Sequence, residues 1–220
     1  MPNERRGLKR LASIGKPLDA LVAPAPVVIG CGEGMAIDTM LTPIPRWLEP
    51  RDDDKPYVEI VHGRRERKVR PKRTHGLLQG RLSRWLDDWA AGRGEVMTEL
   101  RCFFLRADGS PSSLVPDVAY MSYARMPRDL AEDARERPRI APDIAVEVWS
   151  PGDRRRTIEE KIELYLGNGA VLVMLVFPKA RTIEFHQKGH DPLIVPASGI
   201  VTCPGFDDLT LDADWLFANV

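Results

Sequence analysis

The sequence is poor in cysteine and has no long hydrophobic run, and each shortage excludes a class of protein. Its three cysteines, Cys31, Cys102 and Cys203, are widely spaced and form no CxxC pair. This spacing argues against a disulfide framework or a zinc site and favours a reducing compartment. No apolar stretch approaches the roughly 20 residues that a membrane-spanning helix requires, and prolines interrupt the apolar N-terminal stretch where a signal peptide would be continuous. We therefore expect a cytoplasmic protein without membrane contact.

The chain also lacks an excess of either charge, because Lys+Arg and Asp+Glu both number 32. Net charge therefore neither favours nor excludes nucleic acid as a partner. Local clusters are more informative, since residues 63–73 read GRRERKVRPKR and three arginines recur at 154–156. Such clusters can contact phosphates, although a solvated hairpin and loop is the commoner explanation. The candidate nucleic-acid-binding residues are Arg64, Arg65, Arg67 and Lys68.

Length and composition predict one folded domain preceded by an extension. With 220 residues, 43% of them hydrophobic, the chain can bury a substantial core. Residues 1 to about 40 are rich in Pro, Gly and Ala without sustained periodicity, and we predict that they form a disordered, dispensable extension. Met35 is a second candidate for the true start of the chain. Residues 41–220 are predicted to form a single domain.

Hydrophobic periodicity predicts a mixed α/β fold in which a β-sheet is flanked by helices. Residues 57–69 read as an N-terminal β-hairpin of two short strands around His62 and Gly63. Residues 74–92 predict an amphipathic helix that Gly92 closes. Its apolar stripe consists of His75, Leu78, Leu82, Trp85, Leu86 and Trp89.

The later segments predict strands on either side of a second helix. EVMTELRCFFL, VPDVAYMS and DIAVEVWS each read as one strand. The sequence TIEE predicts a capping box, with Thr157 as N-cap and Glu160 reaching back to it, for a helix over about 158–166. The continuous apolar run AVLVMLVF then predicts a central strand that is covered on both faces. RTIEFH reads as the next strand, and GFDDLTLDADWLF as a short closing segment.

Two predicted strands place an acid directly after proline, and these acids are candidates for chemistry. Asp117 follows Pro116 and Asp143 follows Pro142, while Glu147 lies at the centre of PDIAVEVWSP, on the same face as Asp143. Successive strands in a meander are neighbours, so Asp117 and Glu147 are expected to converge. Two carboxylates at bonding distance repel, and a magnesium ion would remove that penalty. The alternative is that the acids are solvated or paired with arginines.

Three further residues are candidates for supporting this site. Lys161 lies on the flank of the apolar stripe of the second helix, and no carboxylate lies three or four residues away. Its stem could therefore cross apolar surface and deliver the ammonium group to the sheet edge, the alternative being a solvated lysine. His75 and Gln79 lie on the buried side of the first helix and could hydrogen-bond the site. For His75 the alternative is a core histidine without function.

Taken in order, several of these segments resemble a known protein family. They are YVEIVHG, the histidine that opens the first helix, VPDVAY, PDIAVEVWSP, IEEKIELYL and PGFDDLTL. Together they resemble the Uma-two family of restriction-endonuclease-like proteins over roughly residues 41–217. That family is similar to the PD-(D/E)XK nuclease superfamily, whose core is a mixed sheet flanked by helices. The resemblance therefore implies the same mixed sheet here.

The resemblance also implies a role for each candidate. Asp117 matches the acid on the second core strand, and Glu147 matches the acid of the (D/E)XK element. The superfamily lysine would stand at position 149, where this chain has Trp149, so the resemblance implies that Lys161 on the next helix replaces it. Asp117 and Glu147 would then hold Mg²⁺, with Mn²⁺ as a substitute. Asp143, His75 and Gln79 are the supporting candidates: Asp143 lies too far along the strand to share a ligand with Glu147 and would instead cap the loop or hold a water, while His75 and Gln79 would hydrogen-bond the site.

The expected function is that of a magnesium-dependent endonuclease that hydrolyses phosphodiester bonds in DNA. DNA is the expected partner, and a homodimer is left open. Trp149 at the usual lysine position favours a first alternative, a catalytically inactive protein of the same fold that acts as a nucleic-acid-binding or regulatory module. The second alternative is a structural or assembly protein whose carboxylate face is merely solvated. Fold alone does not choose among the three, because sites rather than folds determine function.

Overall fold

The computed structural model of the protein describes residues 58–68, 71–105 and 111–220. The predicted extension at residues 1–40, the second candidate start at Met35 and the predicted domain boundary at residue 41 lie outside these ranges. They therefore remain predictions. In the part of the chain that is described, no helix is long and apolar enough to cross a membrane.

Short strands make up most of the described elements. In chain order the strands are β1 Val58–Val61, β2 Arg64–Arg67, β3 Gly94–Thr98, β4 Cys102–Leu105, β5 Pro111–Leu114, β6 Val118–Ser122, β7 Ile144–Val148, β8 Leu172–Phe177, β9 Thr182–His186, β10 Leu193–Pro196, β11 Ile200–Cys203 and β12 Phe206–Asp212. The helices are α1 Arg73–Ala90, α2 Glu132–Glu136, α3 Arg155–Gly167 and α4 Ala213–Leu216.

A six-stranded mixed sheet forms the centre of the fold. Its strand order is β10-β9-β8-β7-β6-β3, in which β7 and β8 are parallel and the other neighbours are antiparallel. The two faces of β8 enter two different hydrophobic clusters, one containing leucines of α1 and one containing apolar residues of α3. The sheet is therefore covered by a helix on each face, which confirms the predicted fold class and the prediction that β8 is a buried central strand.

The first hairpin follows the predicted turn chemistry. β1 and β2 pair antiparallel, with Val61 opposite Arg64. The two residues between them, His62 and Gly63, have φ angles of 48° and 76°, and a two-residue turn of type I′ requires positive φ at both positions. This hairpin belongs to a separate four-stranded sheet of order β2-β1-β5-β4.

Two details of the sequence interpretation are wrong. EVMTELRCFFL is not one strand, because Glu99 adopts a φ of 57° and the chain breaks there into β3 and β4, which belong to different sheets. The capping box is also wrong, since α3 begins at Arg155 and not after Thr157. The side chain of Glu160 instead accepts a hydrogen bond from Arg156 Nε at 3.1 Å and pairs with Arg64.

The packing of α1 positions one wall of the candidate site. Leu78, Leu82 and Leu86 are fully buried against the sheet, and burial of each such side chain contributes about 1.5–3 kcal/mol. Near the end of the helix, Trp89 packs edge-on against Tyr120 of β6, with ring centroids 5.0 Å apart. These contacts fix the rotation of α1, so that its first turns face the start of β6.

We expect a strong contrast between two glycine-to-alanine substitutions. A Cβ at Gly94 of β3 would clash with the backbone carbonyl of Met121 and lie 2.6 Å from a ring carbon of Tyr120. Gly94→Ala should therefore reduce the free energy of unfolding by about 1–3 kcal/mol, as overpacking does. At Gly80 of α1 a Cβ meets no atom within 4 Å, so Gly80→Ala should stabilise the helix by about 1 kcal/mol. Denaturant unfolding of both variants checks this, and equal effects would contradict it.

Candidate active site

The register of β6 and β7 brings the two predicted acids together. Val118 lies opposite Val146 in this antiparallel pair, so Asp117 and Glu147 occupy the next opposed positions. The backbone N–H of Val148 donates to Asp117 Oδ2 at 2.7 Å. Asp117 is 1% exposed and Glu147 is 5% exposed. The alternative of a solvated carboxylate face is therefore excluded, and both acids need compensating partners.

The partners of Asp117 come from α1 and from the residue that follows β2. His75 Nε2 lies 3.0 Å from Asp117 Oδ2, and Gln79 donates to the backbone carbonyl of Asp117 at 2.9 Å. Lys68 Nζ lies 2.7 Å from Asp117 Oδ1. At this distance the ammonium group of Lys68 compensates the negative charge of the buried Oδ1. His75 and Gln79 thus lie where the sequence analysis expected them.

The partners of Glu147 come from α3 and β1. Lys161 Nζ lies 2.6 Å from Glu147 Oε1 and 3.1 Å from Glu59 Oε1. The hydroxyl of Tyr165 donates to the same Glu147 Oε1 at 3.0 Å. Lys161 is 4% exposed, so it is not the solvated lysine of the alternative interpretation. Among the described residues, no hydrogen bond or ion pair reaches Oε2 of Glu147.

Sequence reasoning missed two members of this group, Glu59 and Tyr165. Glu59 is 4% exposed and accepts a hydrogen bond from the backbone N–H of Val115 at 2.8 Å. The signal for Glu59 was present, because VEIV places an acid on the same strand face as Val61, just as PDIAVEVW does for Glu147. Tyr165 was assigned to the apolar stripe of α3, and nothing in the spacing indicates where its hydroxyl points.

The two candidate acids are perturbed in opposite directions. Burial alone would raise the pKa of Asp117, but the charge of Lys68 and the hydrogen bond from His75 outweigh burial and hold this pKa below its usual range. Burial is also the largest effect on Glu147. The charge of Lys161 opposes it, but burial and the nearby Asp117 together raise the pKa of Glu147. Carboxylates with divergent pKa values are suited to different roles in one reaction.

The cations beside these acids keep their charge despite burial. Burial lowers the pKa of Lys161, but the charges of Glu147 and Glu59 outweigh it, and the net shift is upward. The same balance, with Asp117 as the main opposing charge, raises the pKa of Lys68. The group therefore consists of buried carboxylates held by ammonium groups, with His75 at its edge.

A metal ion at this site would have few protein ligands. Among the residues described, no three Asp, Glu, His or Cys side chains are grouped so that they could hold a metal. Mg²⁺ requires no such group, because it keeps several waters and binds one or two carboxylates. The contacts of Glu147 converge on Oε1, and Asp117 Oδ1 has the Lys68 ammonium group as its partner. A hard cation could therefore contact Oε2 of Glu147 directly, and Oδ1 of Asp117 only in place of Lys68.

Asp143 lies apart from this group. It directly precedes β7, four residues from Glu147, which is about 13 Å along an extended strand. Its Oδ1 lies 3.0 Å from Arg125 Nε, and its Oδ2 accepts a hydrogen bond from the backbone N–H of Ser122 at 2.7 Å. Each carboxylate oxygen of Asp143 thus has a partner in the segment that begins at the end of β6, as a residue that caps the loop would have, and neither oxygen contacts Asp117 or Glu147.

The predicted basic residues divide between two locations. Arg64, Arg65 and Arg67 are exposed on β2, and Arg64 pairs with Glu160 of α3. Lys68, predicted to contact nucleic acid from the same strand, instead directs its ammonium group to Asp117, and its side chain is 14% exposed. The basic cluster in the sequence could not distinguish Lys68 from its neighbours, because the partner of Lys68 is distant in sequence.

Position 149, where the superfamily lysine would stand, has a packing role here. The ring of Trp149 stacks on Phe177 of β8, with centroids 5.2 Å apart and an interplanar angle of 29°. Lys161 supplies an ammonium group to Glu147 from α3 instead. The geometry of the site is therefore that of two strand-borne carboxylates and a lysine from the following helix.

Comparison with known sequences identifies the family to which this arrangement belongs. The model of the Uma2 family, described as "Putative restriction endonuclease", matches residues 44–214. The chain belongs to the Uma2 family. This match confirms the resemblance that the sequence motifs indicated, and it covers the hairpin, both acids and Lys161. No curated protein matches the chain.

A solved structure supports the same fold. It is entitled "Crystal structure of a putative nuclease belonging to DUF820 from Anabaena variabilis ATCC 29413 at 1.96 A resolution". The likeness covers 74% of this chain and 90% of that one, with a TM-score of 0.66 and 24% sequence identity. At this identity the likeness shows a shared fold. The protein is therefore a Uma2 member with a restriction-endonuclease-like fold.

We expect His75 to make stability depend on pH. Burial lowers its pKa, but the hydrogen bond and charge of Asp117 outweigh burial and raise it above the usual 6.5. The stabilisation by His75 should therefore be complete below about pH 6.5 and be lost as pH rises through the raised pKa. In metal-free buffer, the difference in unfolding free energy between wild type and His75→Gln should shrink from pH 5 to pH 9. The exposed His190→Gln is the control, and a pH-independent difference for His75→Gln would contradict the prediction.

Proposed function

We propose that this Uma2 protein is a magnesium-dependent endonuclease that hydrolyses phosphodiester bonds in DNA. One observation carries the proposal: Asp117 and Glu147 are buried at opposed positions of β6 and β7, and Lys161 contacts Glu147 at 2.6 Å. Buried carboxylates with perturbed pKa values and a lysine within bonding distance are typical of a catalytic site. Family membership supports the same class of function.

In this proposal Asp117 and Glu147 hold the cation. When bound, Mg²⁺ would polarise the scissile phosphate and lower the pKa of a coordinated water. His75 and the backbone N–H of Val148 fix Asp117 Oδ2, which leaves Oδ1 as the oxygen that would hold the cation. Tyr165 fixes Glu147 through Oε1. These contacts pre-organise the carboxylates, which reduces the reorganisation needed during the reaction.

Lys161 is the proposed catalytic lysine. Its ammonium group is anchored between Glu147 and Glu59 and would donate a hydrogen bond to the attacking water or to a phosphate oxygen. Water attacks phosphorus, the bond to one ester oxygen breaks, and negative charge develops on the phosphate oxygens. A fixed ammonium group in a buried site stabilises that charge more than it would in bulk water.

Binding of the DNA backbone is assigned to the exposed arginines of β2. Arg65 and Arg67 are exposed on one face of β2, and Arg64 is exposed on the other face, where it pairs with Glu160 of α3. Phosphate contacts of this kind give affinity without sequence preference. Lys68 is left out of this surface because its ammonium group contacts Asp117.

A catalytically inactive, nucleic-acid-binding protein remains the second candidate function. Trp149 favours it, because the usual lysine position is filled by a ring stacked on Phe177. The Lys161–Glu147 contact favours the endonuclease, because it restores an ammonium group to the acid of the (D/E)XK element. Cleavage of plasmid DNA with and without Mg²⁺ separates the two.

Glu147→Gln is the sharpest test of the metal site. The amide keeps the shape of the side chain but loses its charge, so Mg²⁺ loses an anionic ligand. We expect cleavage to be abolished and the magnesium-induced rise in melting temperature to shrink, since a ligand stabilises by RT ln(1 + [L]/Kd). Metal-free protein should lose about 3 kcal/mol, because the buried Lys161 then has Glu59 as its one charged partner among the described residues.

The matched control for that experiment is Glu163→Gln. Glu163 is an exposed glutamate on the same helix as Lys161, and its substitution should leave cleavage, stability and the magnesium response unchanged. Thermal melts of wild type and both variants, with and without Mg²⁺, provide the measurement. An identical magnesium response in wild type and Glu147→Gln would refute the proposed metal site.

Binding to DNA should depend on salt through the arginines of β2. Each phosphate contact contributes about 0.9 to the slope of log K against log salt for duplex DNA. Neutralising Arg65 and Arg67 to Gln should therefore reduce the slope by up to about 1.8. The double variant Lys179→Gln/Lys188→Gln, which changes two exposed lysines between β8 and β10, should leave it unchanged. If both double variants retain the wild-type slope, the hairpin does not contact phosphates.

A further inference from the structure

Lys68 contacts the candidate metal site through two oxygens that a hard cation would also use. It directly follows β2, and its Nζ lies 2.7 Å from Asp117 Oδ1 and donates to the backbone carbonyl of Val115 at 2.7 Å. Carboxylate and backbone carbonyl oxygens are the ligands that magnesium and calcium prefer. The ammonium group therefore lies against an oxygen pair that is chemically suited to a divalent cation.

The two oxygens of Asp117 are in different situations. Oδ2 is committed to the protein, because His75 and the backbone N–H of Val148 both contact it. Oδ1 has the ammonium group of Lys68 as its partner, at 2.7 Å, and no other partner among the described residues. A metal held by Asp117 would therefore bind through Oδ1, and two cations cannot share that oxygen without strong repulsion.

Lys68 and Lys161 differ in how firmly they are held. Lys161 contacts two carboxylates, Glu147 and Glu59, and its side chain is 5% exposed. Lys68 contacts the single carboxylate of Asp117 within the part of the chain that is described, and its side chain is 14% exposed. Lys68 can therefore move its ammonium group toward solvent at a smaller cost than Lys161 can.

We propose that Lys68 is an internal competitor of the divalent cation, and that metal binding displaces its ammonium group from Asp117 Oδ1. The inference rests on the proposed function, since it concerns the same cation site. Without metal, Lys68 compensates the charge of the buried Asp117. Because metal must displace Lys68, the site binds metal more weakly than it would if Lys68 were absent. Loading of the site then depends on the concentration of divalent cation.

The first test is the affinity of the full chain for Mn²⁺, measured by titration calorimetry. Lys68→Met removes the competing charge but keeps a side chain of similar length. Mn²⁺ should bind Lys68→Met about 5- to 1,000-fold more tightly than wild type. The lower limit is the repulsion between two unit charges in contact in water, and the upper limit is the same repulsion near a protein surface, where the dielectric constant is lower. Lys188→Met, at an exposed lysine, is the control and should bind Mn²⁺ with wild-type affinity.

A second measurement uses the wild-type protein and so does not depend on the folding of a variant. Lysine acylation, followed by mass spectrometry of peptides, reports how accessible each ammonium group is. Lys68 should be protected without metal and become labelled several-fold faster with Mn²⁺. Labelling of the exposed Lys188 should not change, and Lys161 should stay protected in both conditions.

The outcomes separate this inference from the proposed function. Tighter binding by Lys68→Met together with metal-dependent labelling of Lys68 supports the inference. The inference is overturned if wild type binds Mn²⁺ but Lys68→Met binds it equally or more weakly, or if the labelling rate of Lys68 does not change with metal. In either case Lys68 is a structural ion-pair partner of Asp117, and the proposed metal site stands. If neither wild type nor Lys68→Met binds Mn²⁺, the proposed metal site and the inference both fail.

Discussion

The compensation of buried carboxylates is the constraint on which this structure depends. Asp117 and Glu147 lie on neighbouring strands where water has little access, and an unpaired charge in such a place would oppose folding by several kcal/mol. Each surrounding element supplies a partner: α1 supplies His75, the hairpin supplies Lys68 and α3 supplies Lys161. The contacts that neutralise the two carboxylates are therefore the same contacts that hold α1, the hairpin and α3 against the sheet.

Much of the architecture was predictable because it depends on local pattern. The buried stripe of α1, the continuous apolar run of β8 and the His62-Gly63 turn are all signals within a few residues of each other. The convergence of Asp117 and Glu147 also followed from sequence, since adjacent strands of a meander place their acids on one ladder. For such features, hydrophobic periodicity and turn chemistry are enough to predict the helix, the strand or the turn.

The rest depends on contacts between residues distant in sequence. Lys68 has the same pattern as its arginine neighbours, and its distinction arises from Asp117, 49 positions later. Glu59 was readable as a buried acid, but its partner Lys161 lies 102 positions away. The break at Glu99 has no marker such as glycine or proline, because a non-glycine residue takes the positive φ there. The residue type alone does not specify any of these outcomes.

The stacking of Trp149 on Phe177 has a consequence for redesign of the site. The two rings join the ends of the parallel central strands β7 and β8. Placing a lysine at position 149 by a single substitution would lose this ring contact. A lysine could therefore be moved from α3 to the end of β7 only if the ends of both strands were repacked.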